Sequence, residues 1–485
     1  MAQAEREGAR GTAGGALEIE RHGTERIPLE ERHGRVASLF TLWFSSNVQI
    51  NGFVTGTLAV ILGLDLFWAI VAIVVGNLIG GVFVAYHSVQ GPRMGVPQML
   101  QSRAQFGVLG AALPQLIVVA MYLGFYVVGG VLAGDAIASL VHIQTWIGIA
   151  IWNLAILVIA IYGHDMVHAW GRVATVISAV LFVALFVKFL GEVPSHYKAS
   201  GQSVGTFFLV MSVFVGWQIT WAPYVSDYSR YLPEDTSSKK TFWYTYLGSA
   251  VGAAAVMVVG ALAATFAAAA LNSNVPLFLA HQFNSIFALV LLAVIIGGIP
   301  ATVESPYGGF LSFWAVVSPS ATAAPPRLAR ALFAVVFTLV GTIFSIAASG
   351  HLIQTANNVV LFLLYLLIPW TAINLVDYYL VRRGRYAVGE LFDVNGLYGA
   401  VNWWAIAIYV LTCGLEVLFM NTSLYEGPIA KDLGGADIAW IVGLTLAAGL
   451  YYAIASSLRA RGDRRFAATT GAVGSARIAS PEPVR

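Results

Sequence analysis

The sequence predicts an all-α integral membrane protein with twelve transmembrane helices. Of its 485 residues, 58% are hydrophobic and only 10% are charged, whereas a soluble domain carries about 25% charged residues. A helix needs about 20 residues to cross a bilayer, and apolar runs of this length recur along the chain. We call them spans 1 to 12; they lie at residues 37–63, 66–88, 109–139, 144–162, 170–190, 205–226, 242–271, 284–317, 329–348, 353–380, 400–420 and 436–458.

The basic residues predict the orientation in the membrane. With the N-terminus in the cytoplasm, all of the 26 Lys and Arg residues except Lys188, Lys198 and Lys431 fall in cytoplasmic segments. Cytoplasmic loops are enriched in Lys and Arg, so both termini are predicted to be cytoplasmic in a multi-pass cell-membrane protein. Residues 1–35 lack a signal-peptide core and are expected to form a disordered tail. The single Cys413 excludes an intrachain disulfide.

Four spans concentrate polar groups, which inside a bilayer face the bundle interior, a cavity or a partner helix. Span 1 contains LWFSSNVQINGFVTG, in which Gly52 and Gly56 are expected to weaken the helix, and span 6 contains GWQITWAPYVSDY. Span 3 contains MYLGFYVVGG, with Tyr122 and Tyr126 one helical turn apart. Span 8 contains GGIPATVESPYGG, which has two prolines and carries Glu304.

Spans 1 and 6 stand five spans apart, and both are polar and interrupted. This pattern indicates two inverted repeats whose disrupted helices build a site at the bilayer midplane. Aromatic faces together with amide and hydroxyl groups suit a flat heteroaromatic ring. The predicted core is 36–380, with repeats at about 36–190 and 205–380; a loop with two peripheral helices (381–458) and a cytoplasmic tail (459–485) follow.

Four motifs resemble one protein family. WFSSNVQ, GPRMGVPQMLQSRAQFG, WAPYVSDYSRYLP and DYYLVRRGRY occur here in the order found in the purine–cytosine permease branch of the nucleobase–cation symporters. The resemblance extends from about Ile27 through Asn402. It implies the leucine-transporter-type fold, in which two inverted five-helix repeats are followed by two further helices. It also implies import of a nucleobase or a related ring, driven by sodium or protons.

The resemblance implies a substrate site in spans 1, 3, 6 and 8. Either Trp217 or Trp221 is expected to stack on the ring, while in span 3 a tyrosine, Tyr126, replaces the family's amide. In span 8 a serine replaces the family's asparagine. The residues implied to bind substrate are Ser46, Gln49, Tyr122, Tyr126, Trp217, Gln218, Trp221 and Ser305.

The coupling ion is predicted to be a proton. Sodium-coupled relatives use a Ser/Thr pair of span 8 that aligns with Ile299 and Pro300, although a shift of two residues would bring in Thr302. Sodium needs several oxygen ligands to replace its hydration shell. Glu304 offers a carboxyl group whose proton burial favours, beside Ser305. A structural, permanently neutral Glu304 and sodium coupling are the alternatives, and no other cofactor or metal is expected.

Two remaining motifs have simpler interpretations. Asp227 and Arg230 are expected to pair or to fasten the loop at the cytoplasmic end of span 6, in a gating role. HDMVH (164–168), placed at a loop, lacks the glutamate of the zinc-protease motif and a third ligand, which argues against an intramembrane metalloenzyme.

The predicted function is secondary active import of a cytosine- or purine-like nucleobase by alternating access, without enzymatic activity. The alternatives are a symporter for allantoin, hydantoin, thiamine or a vitamin B6 precursor, and a membrane sensor that binds ligand without transport. The short tail after residue 458 carries no signalling domain, which argues against the sensor. The expected partners are the small ring and the lipid bilayer, with no nucleic acid, and the sequence does not predict an oligomeric state.

Overall fold

Helices occupy all twelve predicted spans. The computed structural model describes residues 25–463 and 465, apart from 163, 196, 200 and 321–324. In chain order the spans are Ser38–Asn47 with Ile50–Ile61, Leu66–Met94, Ala112–Val141, Thr145–Tyr162, His164–Leu190, Val204–Ile219 with Val225–Ser229, Ser238–Ser273, Phe287–Val317, Arg327–Ala348, Leu352–Leu375, Trp403–Glu416 and Ala439–Ala460. Within the described ranges, nine helical segments are long and apolar enough to cross a membrane, and shorter apolar helices complete spans 1, 4 and 11. The predicted all-α class is confirmed.

Spans 1 and 6 are both interrupted near their middles. In span 1 the helix stops at Asn47, and Gln49 adopts an extended backbone (φ −147°, ψ 165°) before the second half begins. In span 6 the helix stops at Ile219 and continues through a 3-10 turn containing Pro223. Because proline has no N–H to donate, Pro223 contributes no backbone hydrogen bond to this turn, which weakens the helix there. The half-helix Val225–Ser229 then completes the span.

The glycines of span 1 do not cause its interruption, contrary to the sequence-based expectation. Gly52 and Gly56 lie within the regular second half and face span 7. A Cβ atom on Gly56 would lie 2.1 Å from the carbonyl oxygen of Met257, and one on Gly260 would lie 2.1 Å from the carbonyl oxygen of Phe53. Small residues allow the backbones of two membrane helices to touch. These glycines therefore hold span 1 tightly against span 7.

The core helices pack as two groups. Spans 1, 2, 6 and 7 contact one another extensively and form the first group, and spans 3, 4, 8 and 9 form the second group. Span 5 packs against spans 7 and 8, and span 10 packs against spans 3 and 6. Spans 11 and 12 lie outside this arrangement, against each other and span 10. Spans 1 and 8 face each other across the boundary between the groups.

A buried chain of hydrogen bonds joins the four helices of the first group. Nε1 of Trp217 donates to Oδ1 of Asn47 (2.7 Å), whose Nδ2 donates to Oγ of Ser249 (3.3 Å). Ser249 Oγ donates to Oε1 of Gln218 (2.6 Å), and Nε2 of Gln218 donates to Oδ1 of Asn77 (2.8 Å). All five side chains are at most 1% exposed. Inside the bilayer no water is available to bond these polar groups. Their hydrogen bonds to one another therefore hold spans 1, 2, 6 and 7 in register.

A second buried network connects span 10 to its surroundings. Nε of Arg382 donates to Oδ2 of Asp377 at 2.8 Å. The same carboxylate accepts hydrogen bonds from Tyr386 (2.6 Å), Tyr451 (2.9 Å) and Gln105 (2.8 Å). A buried ion pair is tolerated only when its remaining lone pairs are satisfied, as they are here. The network fastens the end of span 10 to span 12 and to the loop between spans 2 and 3.

The segment 25–35, expected to belong to a disordered tail, packs against the bundle. Ile27 is fully buried, and its N–H donates to the carbonyl of Gly95 (2.9 Å). The N–H of His33 donates to the carbonyl of Tyr231 (2.7 Å). The segment thus bridges the loop before span 3 and the end of span 6; the residues before it lie outside the described part of the chain.

Two buried acids at the junction of spans 10, 11 and 12 have opposite environments. Glu416 is 0% exposed, its carboxyl rests on Gly443, and neither oxygen has a hydrogen-bond partner among the described residues. Asp437 is equally buried but accepts from the hydroxyl of Tyr365 and from two backbone N–H groups, at 2.9 and 3.1 Å. The burial of the Glu416 carboxyl is therefore not offset by hydrogen bonds from the described residues. The burial of the Asp437 carboxyl is offset by three protein donors.

We expect substitutions of these acids to change stability in opposite directions. Glu416→Met removes two unpaired acceptors at similar volume and should raise the thermal midpoint of the detergent-solubilised protein by a few degrees, since replacing unsatisfied buried polar groups is often stabilising. Asp437→Asn replaces an acceptor oxygen by an NH₂ group that faces existing donors. It should lower the free energy of unfolding by about 1–3 kcal/mol. Thermal unfolding of both purified variants measures the difference. A loss of stability in Glu416→Met comparable to that in Asp437→Asn would contradict this assignment.

Candidate functional site

Aromatic side chains line one face of span 6 across its interruption. Trp217, Trp221, Tyr224 and Tyr228 follow one another at intervals of three or four residues, which is the spacing of one helical face. The ring centroids of Trp217 and Trp221 are 6.0 Å apart, and those of Trp221 and Tyr224 are 5.7 Å apart. Trp43 of span 1 packs edge-on against Trp221 (5.7 Å) and Tyr228 (5.5 Å). Span 1 and span 6 therefore share one aromatic surface.

Tyr122 extends this surface to spans 3 and 8. Its ring centroid lies 5.6 Å from that of Tyr224. On its other side it lies on Gly308, where a Cβ atom would be 2.3 Å from Cζ of the tyrosine. The glycine thus leaves space for the tyrosine ring next to the second proline of span 8. We call Trp43, Tyr122, Trp221, Tyr224 and Tyr228 the aromatic cluster; it brings together spans 1, 3, 6 and 8.

The cluster contains groups with unused capacity for a ligand. Tyr224 and Tyr228 keep part of their surface accessible although other rings surround them, as expected for side chains that line an internal space. Nε1 of Trp221 is buried without a hydrogen-bond partner among the described residues. The corresponding N–H of Trp217 is already bonded to Asn47. Of the two span-6 tryptophans, the geometry therefore favours Trp221 as the one that meets a ligand; Nε1 of Trp43 likewise has no partner among the described residues.

Gln49 stands at the interruption of span 1, where it is half-buried. Its Nε2 donates to the carbonyl of Ser46 at 3.1 Å, and its Oε1 accepts from Asn51 at 3.4 Å. The 3.4 Å bond is longer than the usual range of about 2.7–3.2 Å, so a ligand can replace it at small cost. Ser46 is also half-buried. The interruption thus presents an amide and a backbone carbonyl that are not locked into the packing.

Three of the predicted substrate-binding residues have other surroundings. Tyr126 is 0% exposed, its hydroxyl lies 3.5 Å from Oγ1 of Thr338, and its ring packs against span 9. Gln218 is committed to the buried chain of the first group. Ser305 is 2% exposed and donates to the carbonyl of Ala301 in its own helix (3.3 Å). The structure does not bring Tyr126 or Gln218 to the aromatic cluster.

Asp227 and Arg230 lie at the end of span 6. Oδ1 of Asp227 accepts the backbone N–H of Gln98 (2.7 Å), in the loop between spans 2 and 3. Nε of Arg230 donates to the carbonyl of Asp227 (3.3 Å), and its guanidinium lies 5.2 Å from the ring centroid of Tyr231. These contacts fasten the half-helix to the loop rather than to the aromatic cluster.

The positions relevant to ion coupling lie on span 8. Thr302, the alternative sodium ligand, donates to the carbonyl of Gly298 (2.8 Å) and is 3% exposed. Its hydroxyl faces Gly129 of span 3, and a Cβ atom added to that glycine would lie 2.9 Å from the hydroxyl oxygen. Glu304 is half-buried, and its Oε1 accepts a hydrogen bond from the hydroxyl of Tyr228 at 2.5 Å. The carboxyl group of span 8 therefore meets the aromatic cluster directly.

The HDMVH motif forms the start of the helix His164–Leu190 instead of lying in a loop. Its side chains are outside the described part of the structure. Among the described residues, no group of three or more His, Cys, Asp or Glu side chains is arranged to hold a metal ion.

Sequence reasoning missed Trp43, Tyr224 and Tyr228 as members of the site. The signal was present in the sequence, because Trp221, Tyr224 and Tyr228 repeat at helical spacing within the motif that identifies span 6.

Interrupted helices from two halves of the chain, meeting at an aromatic and polar site within the bilayer, define a secondary transporter of the inverted-repeat class. A family model described as permease for cytosine/purines, uracil, thiamine, allantoin matches residues 26–443. The chain belongs to this family. The match continues beyond Asn402, where the motif resemblance stops.

Individual relatives and solved structures agree with this assignment. The putative purine-cytosine permease YxlA of Bacillus subtilis is 42% identical over 448 residues, which cover 90% of this chain and 96% of the relative. The purine-cytosine permease fcyB of Emericella nidulans is 26% identical, covering 90% and 88%. The inward-facing structure of Mhp1 covers 94% of this chain and 96% of its own, with a TM-score of 0.73 at 19% identity. At 19% sequence identity, this structural similarity shows only that the two proteins share a fold.

Substitutions at the two interruptions should impair transport without removing the protein from the membrane. Trp221→Ala removes a stacking face and the free N–H, and Gln49→Ala removes the exchangeable amide; each should lower uptake by about 10-fold or more. Tyr126→Phe, which alters a tyrosine packed against span 9, is the matched control and should keep uptake within about 2-fold. Initial uptake rates, normalised to membrane-resident protein, test this. Normal rates in both alanine variants would remove spans 1 and 6 from the site.

Proposed function

We propose that this protein is a proton-coupled importer of a purine or pyrimidine nucleobase. It works by alternating access in the cell membrane, with both termini in the cytoplasm. The observation that carries the proposal is the aromatic cluster at the meeting point of spans 1, 3, 6 and 8, in a chain that belongs to a permease family. In this cluster the N–H of Trp221 has no hydrogen-bond partner among the described residues. The concentration of Lys and Arg in alternate loops supports the orientation.

The chemistry of the cluster fits a planar base. Aromatic rings at 5.5–5.7 Å from one another provide apolar faces for a flat ring. The N–H of Trp221 is a donor, and the amide of Gln49 offers both a donor and an acceptor. Nucleobases present donors and acceptors side by side at their edges, which suits this combination. The relatives named purine-cytosine permease support the same substrate class.

A related ring is the second candidate. The hydantoin permease of Microbacterium maritypicum is 23% identical over 423 residues, and the vitamin B6 transporter TPN1 of Saccharomyces cerevisiae is 26% identical over 270 residues. Allantoin, thiamine and a vitamin B6 precursor belong to the same set of alternatives. Both candidates require the same stacking surface, so they differ only in the polar groups at the ring edge.

A competition screen distinguishes the two candidates. In cells that overproduce the protein, unlabelled cytosine, adenine, hypoxanthine and uracil should inhibit uptake of a labelled base more strongly than allantoin, hydantoin, thiamine or pyridoxine do. A site built to bond particular edge groups rejects analogues lacking them by large factors. Preferential inhibition by one of the second set would transfer the proposal to that ring, and strong inhibition only by amino acids or sugars would contradict both.

The proposal assigns coupling to Glu304. The positions that align with the relatives' sodium-binding pair carry Ile299 and Pro300, and Thr302 faces span 3 and bonds its own helix. These positions thus offer sodium a single side-chain oxygen, that of Thr302, which lies against span 3, whereas sodium needs several oxygen ligands. Glu304 instead places a carboxyl group at the substrate cluster, within a hydrogen bond of Tyr228. A proton on this group neutralises a charge that is costly inside the membrane.

Reconstituted protein tests the coupling ion. Accumulation should follow an inwardly directed pH gradient, collapse with a protonophore and be independent of sodium. Glu304→Gln mimics the protonated acid, so it should retain substrate binding within about 3-fold while losing concentrative uptake. Accumulation driven by a sodium gradient at equal pH on both sides would assign coupling to sodium and make Glu304 structural.

A further inference from the structure

The backbone of Tyr228 belongs to the first group of helices. Its half-helix Val225–Ser229 is tied to span 2, because the hydroxyls of Ser226 and Ser229 donate to carbonyl groups at the end of that span (2.8 and 2.7 Å). Its ring is held edge-on against Trp43 of span 1. Tyr228 therefore moves with spans 1, 2 and 6.

Glu304 belongs to the second group. On either side of it, Thr302 packs against Gly129 and Gly308 lies under Tyr122, so this part of span 8 is fixed to span 3. The hydrogen bond from Tyr228 Oη to Glu304 Oε1 (2.5 Å) therefore joins one group to the other. Any rotation that separates the end of span 6 from span 8 must break it.

The strength of this bond depends on the charge of Glu304. A hydroxyl bonded to a carboxylate forms a short, charge-assisted bond that is about twice as strong as one between neutral groups. The titratable neighbours of the pair are Tyr122 on span 3 and Tyr224 and Asp227 on span 6. Phenols in water lose their proton only near about pH 10, so of the two partners the carboxyl group is the one whose charge a proton can neutralise.

We propose that Tyr228 and Glu304 form a latch whose release requires protonation of Glu304. The carboxylate accepts a proton from the pathway, Tyr228 keeps its own proton, and the bond between them becomes a weaker neutral one. The ionised carboxylate holds the end of span 6 against span 8, and the protonated acid lets the two separate. Tyr228 acts through Glu304 and is thus a positioning residue. The inference rests on the proposed proton coupling.

The latch links protonation of Glu304 to the opening of one end of the bundle, so that an inward proton gradient can drive import. Span 6 runs toward the arginine-rich end of the bundle, which the charge distribution predicts to be cytoplasmic. A protein loaded with proton and substrate has a weakened latch and opens inward. After both are released, the ionised Glu304 favours closure of that end, so the empty protein returns outward. A bond that is stronger in one protonation state shifts the conformational equilibrium by the difference in its strength.

Distance measurements between spin labels test the latch without any substrate. In a Cys413→Ser background, Lys239→Cys at the start of span 7 and Leu328→Cys at the start of span 9 place labels on exposed positions of the two groups. With Tyr228 present, lowering the pH from 8 to 5 should increase the long-distance population by roughly three- to tenfold. Tyr228→Phe keeps the ring but removes the hydroxyl, so it should show the low-pH distribution at both pH values.

Further variants separate the latch from a general loss of structure. Glu304→Gln, and the double variant Tyr228→Phe with Glu304→Gln, should both match Tyr228→Phe, because two changes in one interaction are not additive. Tyr244→Phe alters a tyrosine 37% exposed on span 7 and should behave like the unaltered protein. In proteoliposomes, Tyr228→Phe should lower the accumulation of labelled cytosine against a gradient by about 10-fold, whereas Tyr244→Phe should leave it unchanged.

The outcomes are decisive for the latch independently of coupling. A normal pH response of the distances in Tyr228→Phe, or pH-independent distances in the protein with both residues intact, would overturn the latch. If Glu304→Gln loses concentrative uptake while Tyr228→Phe accumulates substrate normally, proton coupling at Glu304 stands and only the latch is wrong. Normal pH-driven accumulation in Glu304→Gln would instead overturn the proposed coupling.

Discussion

The hydrogen bond from Trp217 to Asn47 is the contact on which the geometry of the site depends. Asn47 is the last residue of the first half of span 1, and Trp217 lies one turn before the interruption of span 6. In a bilayer, the ends of broken helices need partners that water cannot supply. This bond continues through Ser249 to Gln218. Together these hydrogen bonds hold the two interruptions side by side. The polar groups left over face the aromatic cluster.

This arrangement divides the polar residues of the spans into two kinds. Those in the buried chain have saturated hydrogen bonds and serve packing. Gln49 and Trp221 retain exchangeable or unused capacity among the described residues, Glu304 bonds from one group of helices to the other, and all three lie where the two groups meet. A carrier requires this distinction, because a site that changes shape cannot be built from groups whose bonds hold each half together. The residues with spare capacity therefore lie at the moving boundary.

The fold was largely predictable, since twelve apolar runs, the interrupted spans 1 and 6, and the family motifs are local properties of the sequence. The site was predictable only in part. Gln218 and Tyr126 stand at family positions, yet their surroundings depend on Asn77 of span 2 and Thr338 of span 9, distant partners that periodicity does not reveal. The role of the span-1 glycines was ambiguous for the same reason. From the sequence alone Gly56 predicts a weak point in the helix, whereas in the structure it allows close contact with Met257.

The contact between spans 1 and 7 has a consequence for inhibitors. Carbons added at Gly248, Gly252 and Gly260 would each lie 2.1–2.7 Å from a carbonyl oxygen of span 1, so the two backbones interlock along nearly their whole shared length. Neither helix can slide past the other by a turn, and no crevice opens between them during a rigid rotation. A small molecule that arrests the protein therefore cannot act by separating these two helices and has to act elsewhere, for example in the seam between the two groups. Selectivity among relatives would then be determined by the few side chains that line that seam.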